Sequence, residues 1–186
     1  MHEAAPSALT AWANFYVITG SSAAALTGLM FVVITLVAGD RSRTTIDGIS
    51  TFSTPTVVHF CVALLVSAVL SAPWSSLVPA AVLLGLTGLY GIAYTALVIY
   101  RIRTRISTMY QPEVEDWLWY AIVPLVAYAA IVVAALRLSA APGGALFALA
   151  GATLLLIFLG IHNAWDVVTF IAVKKDADTD DGSGTP

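Results

Sequence analysis

Long apolar runs alternate with short polar connections along this chain, at residues 12–38, 55–72, 79–100, 117–136 and 145–173. A helix rises 1.5 Å per residue, so about 20 apolar residues cross a hydrocarbon layer ~30 Å thick. Each run is near or beyond that length, and Asp166 is the only Asp, Glu, Lys or Arg inside any of them. The pattern therefore predicts an all-α protein, a polytopic membrane bundle of five transmembrane helices. Residues 1–175 form its single domain, and 176–186 an acidic, disordered tail. In that tail Asp176, Asp178, Asp180 and Asp181 alternate with small and polar residues, leaving nothing apolar to bury.

Local signals set expected helix ends. Thr54-Pro55 places a capping hydroxyl before a proline whose missing N–H costs nothing at the first helical position, so the second helix is expected to begin there. Gln111-Pro112-Glu113-Val114-Glu115-Asp116 puts carboxylates at the positive end of the fourth helix dipole, a capping role rather than an acid–base one. Pro124 is expected to kink the fourth helix.

Composition removes the soluble alternative, because 59% of residues are hydrophobic and 10% charged, against about a quarter charged in a soluble domain. Charge then orients the chain, since Lys and Arg collect on the cytoplasmic side of membrane helices. Arg41 and Arg43 follow the first run, Arg101, Arg103 and Arg105 the third, and Lys174 and Lys175 the fifth, whereas Arg137 stands alone on the opposite side. The N-terminus is expected outside and the C-terminus in the cytoplasm, with Trp12 and Trp74 at the outer interface and Trp117, Trp119 and Tyr120 at the inner one. The basic loops then meet anionic headgroups of the lipid bilayer, and no feature supports nucleic acid as a partner. No Lys or Arg precedes the first run, so it does not read as a cleaved signal peptide. Cys61, the single cysteine, is expected to pack inside the bundle.

Helices in lipid associate through small residues that let backbones approach. Gly20, Ala24 and Gly28 recur at four-residue spacing in the first helix, and Gly88 and Gly91 share a side of the third. Both sets predict packing seams. Seams within one chain are favoured because five helices must first bury one another; a second copy of this chain or another membrane protein is the alternative partner.

Chemistry concentrates in Ile161-His162-Asn163-Ala164-Trp165-Asp166. His162 and Asp166 are four residues apart, so imidazole and carboxylate share a helix face, with Thr169 a turn further on and Asn163 about 100° away. His59 on the second helix shares a face with Thr56, Ala63 and Ser67. Ionisable residues in a membrane helix usually face the bundle interior, which makes His59, His162, Asn163 and Asp166 the candidate polar, proton or ligand site, with no catalytic residue named. Anchoring of the helix at the headgroup zone is the competing role. His59, His162 and Asp166 supply at most three metal ligands, and two histidines could grip a haem only by facing each other. The chain has no His-Glu-x-x-His, phosphate-loop or dinucleotide motif. Gly20-Ser21-Ser22-Ala23 departs from the Gly-x-Ser-Gly motif of rhomboid intramembrane proteases at its last position, so no nucleophile is carried over.

The runs Gly20-Ser21-Ser22-Ala23-Ala24-Ala25-Leu26-Thr27-Gly28-Leu29 and Ile161-His162-Asn163-Ala164-Trp165-Asp166 resemble a group of small bacterial integral membrane proteins of unassigned function. The resemblance implies a bacterial cytoplasmic (inner) membrane location and supplies no catalytic residues. The expected function is that of a non-enzymatic accessory component or small transporter-like bundle with a polar inner-leaflet site. The alternative is a haem- or metal-binding membrane protein with a redox role.

Overall fold

The computed structural model describes residues 4–39, 46–106 and 114–182, all but two short connections being helical. Helix α1 (Ala4–Gly39) leads to α2 (Ile46–Ser71) and α3 (Leu77–Arg101), which ends in a π-helical segment, Ile102–Ile106. The four-residue α4 (Val114–Trp117), a second π-helical segment (Leu118–Ile122) and α5 (Val123–Arg137) run on as the fourth long helix, and α6 (Pro142–Gly182) completes the chain. Five helices are long and apolar enough to cross a membrane, over Ala8–Thr35, Thr54–Ser71, Leu77–Thr104, Leu118–Arg137 and Pro142–Asp166. Among the described residues there is no strand.

Three local expectations meet a different outcome. Helix α2 does not start at Pro55: it begins at Ile46 and carries Pro55 inside it. The proline removes one backbone donor, a loss that a long helix packed among neighbours tolerates. Around Pro124 the expected irregularity takes the form of the π-helical segment, in which the Val123 N–H donates to the Leu118 carbonyl. Pro124, at the start of α5, has no N–H for the carbonyl four residues back, and the wider turn precedes it directly. Cys61 is exposed rather than buried, on the side of α2 turned away from the core. The backbone of α6 is helical to Gly182, past the point where the acidic tail begins. Arg41, Arg43, Gln111, Pro112, Glu113 and the last four residues lie outside the described residues.

Helices α2 and α6 and the fourth long helix form the centre of the bundle, with 44–56% of their span residues buried, against 22% in α1 and 33% in α3. Helix α1 lies on α2 and touches α6, while α3 lies on α5 and touches α2. Successive helices run in opposite directions, and α1 and α6 run the same way: the Tyr16 hydroxyl donates to the Leu146 carbonyl at 3.2 Å, and the Trp12 and Phe147 rings meet edge to face at 4.7 Å. Outward faces carry Val17, Ile18, Leu29, Phe31, Leu86, Leu89, Phe147 and Phe158, all more than half exposed. Water penalises so continuous an apolar surface, whereas hydrocarbon accepts it.

Small residues position these helices, though not all the expected ones. A Cβ on Gly88 would meet Val132 Cγ2 at 2.7 Å and the Tyr128 carbonyl oxygen at 3.1 Å, and one on Gly91 would enter the Tyr128 ring, so α3 lies against α5 through these glycines. Of the expected α1 row, Gly20 is in a tight seam, where an added Cβ would meet Ser67 Cβ at 3.0 Å, next to the Thr19–Ser67 hydroxyl pair at 3.0 Å. Ala24 borders an open groove of roughly 300 Å3 between α1 and α2. Gly28 is exposed, and a methyl added there would meet nothing within 4 Å. Four-residue steps gain about 40° each at 100° per residue, so this row turns off the contact within two steps. The buried apolar side chains of α1 are Leu9, Tyr16, Ala23 and Met30, a seven-residue repeat of the kind that keeps one seam facing a partner helix.

Candidate functional site

The polar segment of α6 lies at the end of the bundle marked by Trp117 and Trp119, opposite the end marked by Trp74 and Phe147. Helical spacing brings His162 Nε2 to 3.4 Å from Asp166 Oδ2, with the two side chains 29% and 45% exposed. The two form an ion pair only when the imidazole is protonated, and Nε2 makes no hydrogen bond among the described residues. Across the seam the Trp119 ring stacks on the imidazole, with centroids 3.9 Å apart and planes 28° from parallel. The imidazole thus lies between the Asp166 carboxylate and the Trp119 ring. The Thr169 hydroxyl turns back to the Trp165 and Asp166 carbonyls of its own helix, at 3.0 and 3.1 Å.

Asn163, not the His162–Asp166 pair, faces the interior. It is completely buried, and neither its Oδ1 nor its Nδ2 has a hydrogen-bond partner among the described residues. The 100° step between adjacent helical residues puts it on the same side of α6 as Gly160, a turn earlier, where the Phe60 ring of α2 occupies the space a Cβ would take. Because α2 and α6 are antiparallel, that contact sets their register. Asn163 stands at the depth of the buried Thr56, one turn before Phe60 on α2.

His59 belongs to a different arrangement. It is 1% exposed, and its Nδ1 is 2.7 Å from the Tyr128 hydroxyl, which donates when Nδ1 is unprotonated. Tyr128 in turn rests on Gly91, so one ring links α2, α5 and α3. His59 and His162 thus engage two different aromatic residues of the fourth long helix. Among the described residues no three His, Cys, Asp or Glu side chains gather in a set able to hold a metal ion. The donor set of His59, His162 and Asp166 considered from the sequence is not assembled, and neither is a pair of histidines offered to one haem: His59 is tied to Tyr128, and His162 is covered by Trp119.

Beyond the basic end of α3, Arg103 lies over the Trp117 ring at 5.3 Å from its centroid. Trp117 is two residues from Trp119, so cation, aromatics, imidazole and carboxylate follow one another along this rim. The sequence places His162, Asn163 and Asp166 together correctly, because they share one helix. Trp119, Tyr128 and Gly160 come from facing helices, and their only sequence signals are an aromatic near a span end and a glycine one turn from a polar residue. Comparison with known protein families, with curated proteins and with solved structures yields no match to this chain.

Proposed function

We propose that this chain is a multi-pass integral protein of the bacterial cytoplasmic membrane, N-terminus outside and C-terminus inside. In this reading it is a non-enzymatic accessory component or small transporter-like bundle with a protonation-sensitive site at the inner leaflet. The observation that carries the proposal is the His162–Asp166 pair at 3.4 Å, stacked on Trp119 and adjacent to the buried Asn163. Protonation of His162 changes the charge between the Asp166 carboxylate and the Trp119 ring, so the contact of α6 with the fourth long helix is expected to respond to pH. Nonpolar layers on either side make these polar groups costly to keep for anchoring alone.

Orientation is tested by reporters fused to the C-terminus. Green fluorescent protein is expected to fluoresce and alkaline phosphatase to be inactive, as the Lys/Arg asymmetry requires; the reverse pair removes the assigned threading.

Protein reconstituted in liposomes is expected to pass protons or monovalent cations at a pH-dependent rate above that of empty liposomes. His162→Ala and Asp166→Asn should each lower that rate about tenfold or more, equivalent to roughly 1.4 kcal/mol in the limiting barrier. Flux that keeps its full rate and pH profile in both variants would show that the pair only anchors α6. Absence of any protein-dependent flux removes the transporter form of the proposal and leaves the accessory one.

A further inference from the structure

We propose that Asn163 binds a small uncharged solute of the amide or urea class, which reaches it from the end of the bundle that holds Trp119. This rests on the reading of the α6 cluster as a functional site and names the ligand class it would take.

A buried carboxamide with no partner at either end carries the full desolvation cost of each unmet group. In Asn163 both amide atoms are in that state, and His162 Nε2, on the neighbouring residue, is a third buried polar atom without a hydrogen bond. Nothing in the packing of α6 requires an amide there, since Leu156 and Leu159, on the preceding turns of the same buried side, are apolar and fully enclosed.

The chemistry of the unmet atoms selects the ligand. Oδ1 needs a donor and Nδ2 an acceptor, and the two lie in one plane on adjacent branches of a fixed fork. A molecule that answers both at once carries its own donor and acceptor side by side in a plane, as an amide or urea does. Charge is disfavoured, because no Asp, Glu, Lys or Arg is among the buried described residues to neutralise an ion at that depth.

Access is set by the neighbours. His162 is partly exposed and lies under Trp119, so the stacked pair forms the cover between the rim and Asn163. Trp119 belongs to the Leu118–Ile122 segment, a π-helical turn of the type that recurs at functional sites. Reversion of that segment to α-helix would rotate Trp119 relative to α5 and uncover the site.

The chain contains two asparagines, Asn14 and Asn163, so selective 15N-asparagine labelling of the full protein in nanodiscs gives two side-chain amide signals. Asn14 is exposed near the other end of the bundle, and Asn14→Gln assigns the pair without touching the site. Urea is expected to shift the Asn163 signals saturably while Asn14 responds linearly or not at all. Acetone, a urea-shaped molecule that accepts but cannot donate, answers Nδ2 alone and is expected to shift them more weakly than urea, saturating at higher concentration. Equal responses at both asparagines, or Asn163 signals that exchange with water and ignore urea, overturn the proposal. Proton flux without urea binding removes this ligand class and leaves the His162–Asp166 proposal standing, whereas urea binding without proton flux does the reverse.

Discussion

Gly91→Ala is expected to destabilise the protein by about 2–6 kcal/mol, combining the ~1–3 kcal/mol of overpacking a tight core with the ~1–3 kcal/mol of leaving a buried polar partner unpaired. The added methyl would enter the Tyr128 ring, and that ring cannot retreat freely: its hydroxyl is 2.7 Å from His59 Nδ1 and its residue is fully buried. Moving it separates α3 from α5 or breaks the link to α2. Equilibrium unfolding in nanodiscs measures the loss, and a double-mutant cycle assigns it. In a Tyr128→Leu background, where the ring is gone, the same methyl should cost far less, giving a coupling of about 1–3 kcal/mol. Additive losses would mean that Gly91 and Tyr128 do not form this contact.

Gly160→Ala is expected to cost about 1–3 kcal/mol through overpacking, because a methyl there would enter the Phe60 ring at the centre of the α2–α6 seam. Phe60 is 1% exposed, so α2 and α6 must part to make room. Phe60→Leu in the same chain should recover most of the loss. Gly28→Ala is the control: a methyl at that position meets nothing within 4 Å, and its effect should stay within about 0.5 kcal/mol. Helix propensity by itself favours alanine over glycine, so comparable losses at Gly28 and Gly160 would overturn the close-packing account of Gly160.

The contrast among these glycines separates what can be read along the chain from what cannot. Gly88 and Gly91 are legible as a seam because three-residue spacing keeps them on one side of α3. Gly28 is not, because its four-residue row rotates away from α2. Gly160 escapes notice among apolar neighbours, yet it fixes the register that brings Asn163 level with Thr56. Cys61 shows the same limit: its apolar surroundings suggest burial, but a residue among Phe60, Val62 and Ala63 can face outward when the medium outside is as apolar as the core.

The sequence alone determined the number of long apolar helices and where each run lies, though not where each helix ends, because apolar length against hydrocarbon thickness is a property of each segment by itself. It also determined that His162, Asn163 and Asp166 stand within a turn of one another, since helical spacing is local. Only the tertiary structure decided that Asn163 faces inward while His162 and Asp166 lie at the rim, that Trp119 covers His162, and that His59 answers to Tyr128. In a water-soluble bundle an apolar stripe would have announced the inward face of each helix. Here every face is apolar, so no stripe distinguishes inside from outside, and orientation is settled only by how the side chains of neighbouring helices fit together.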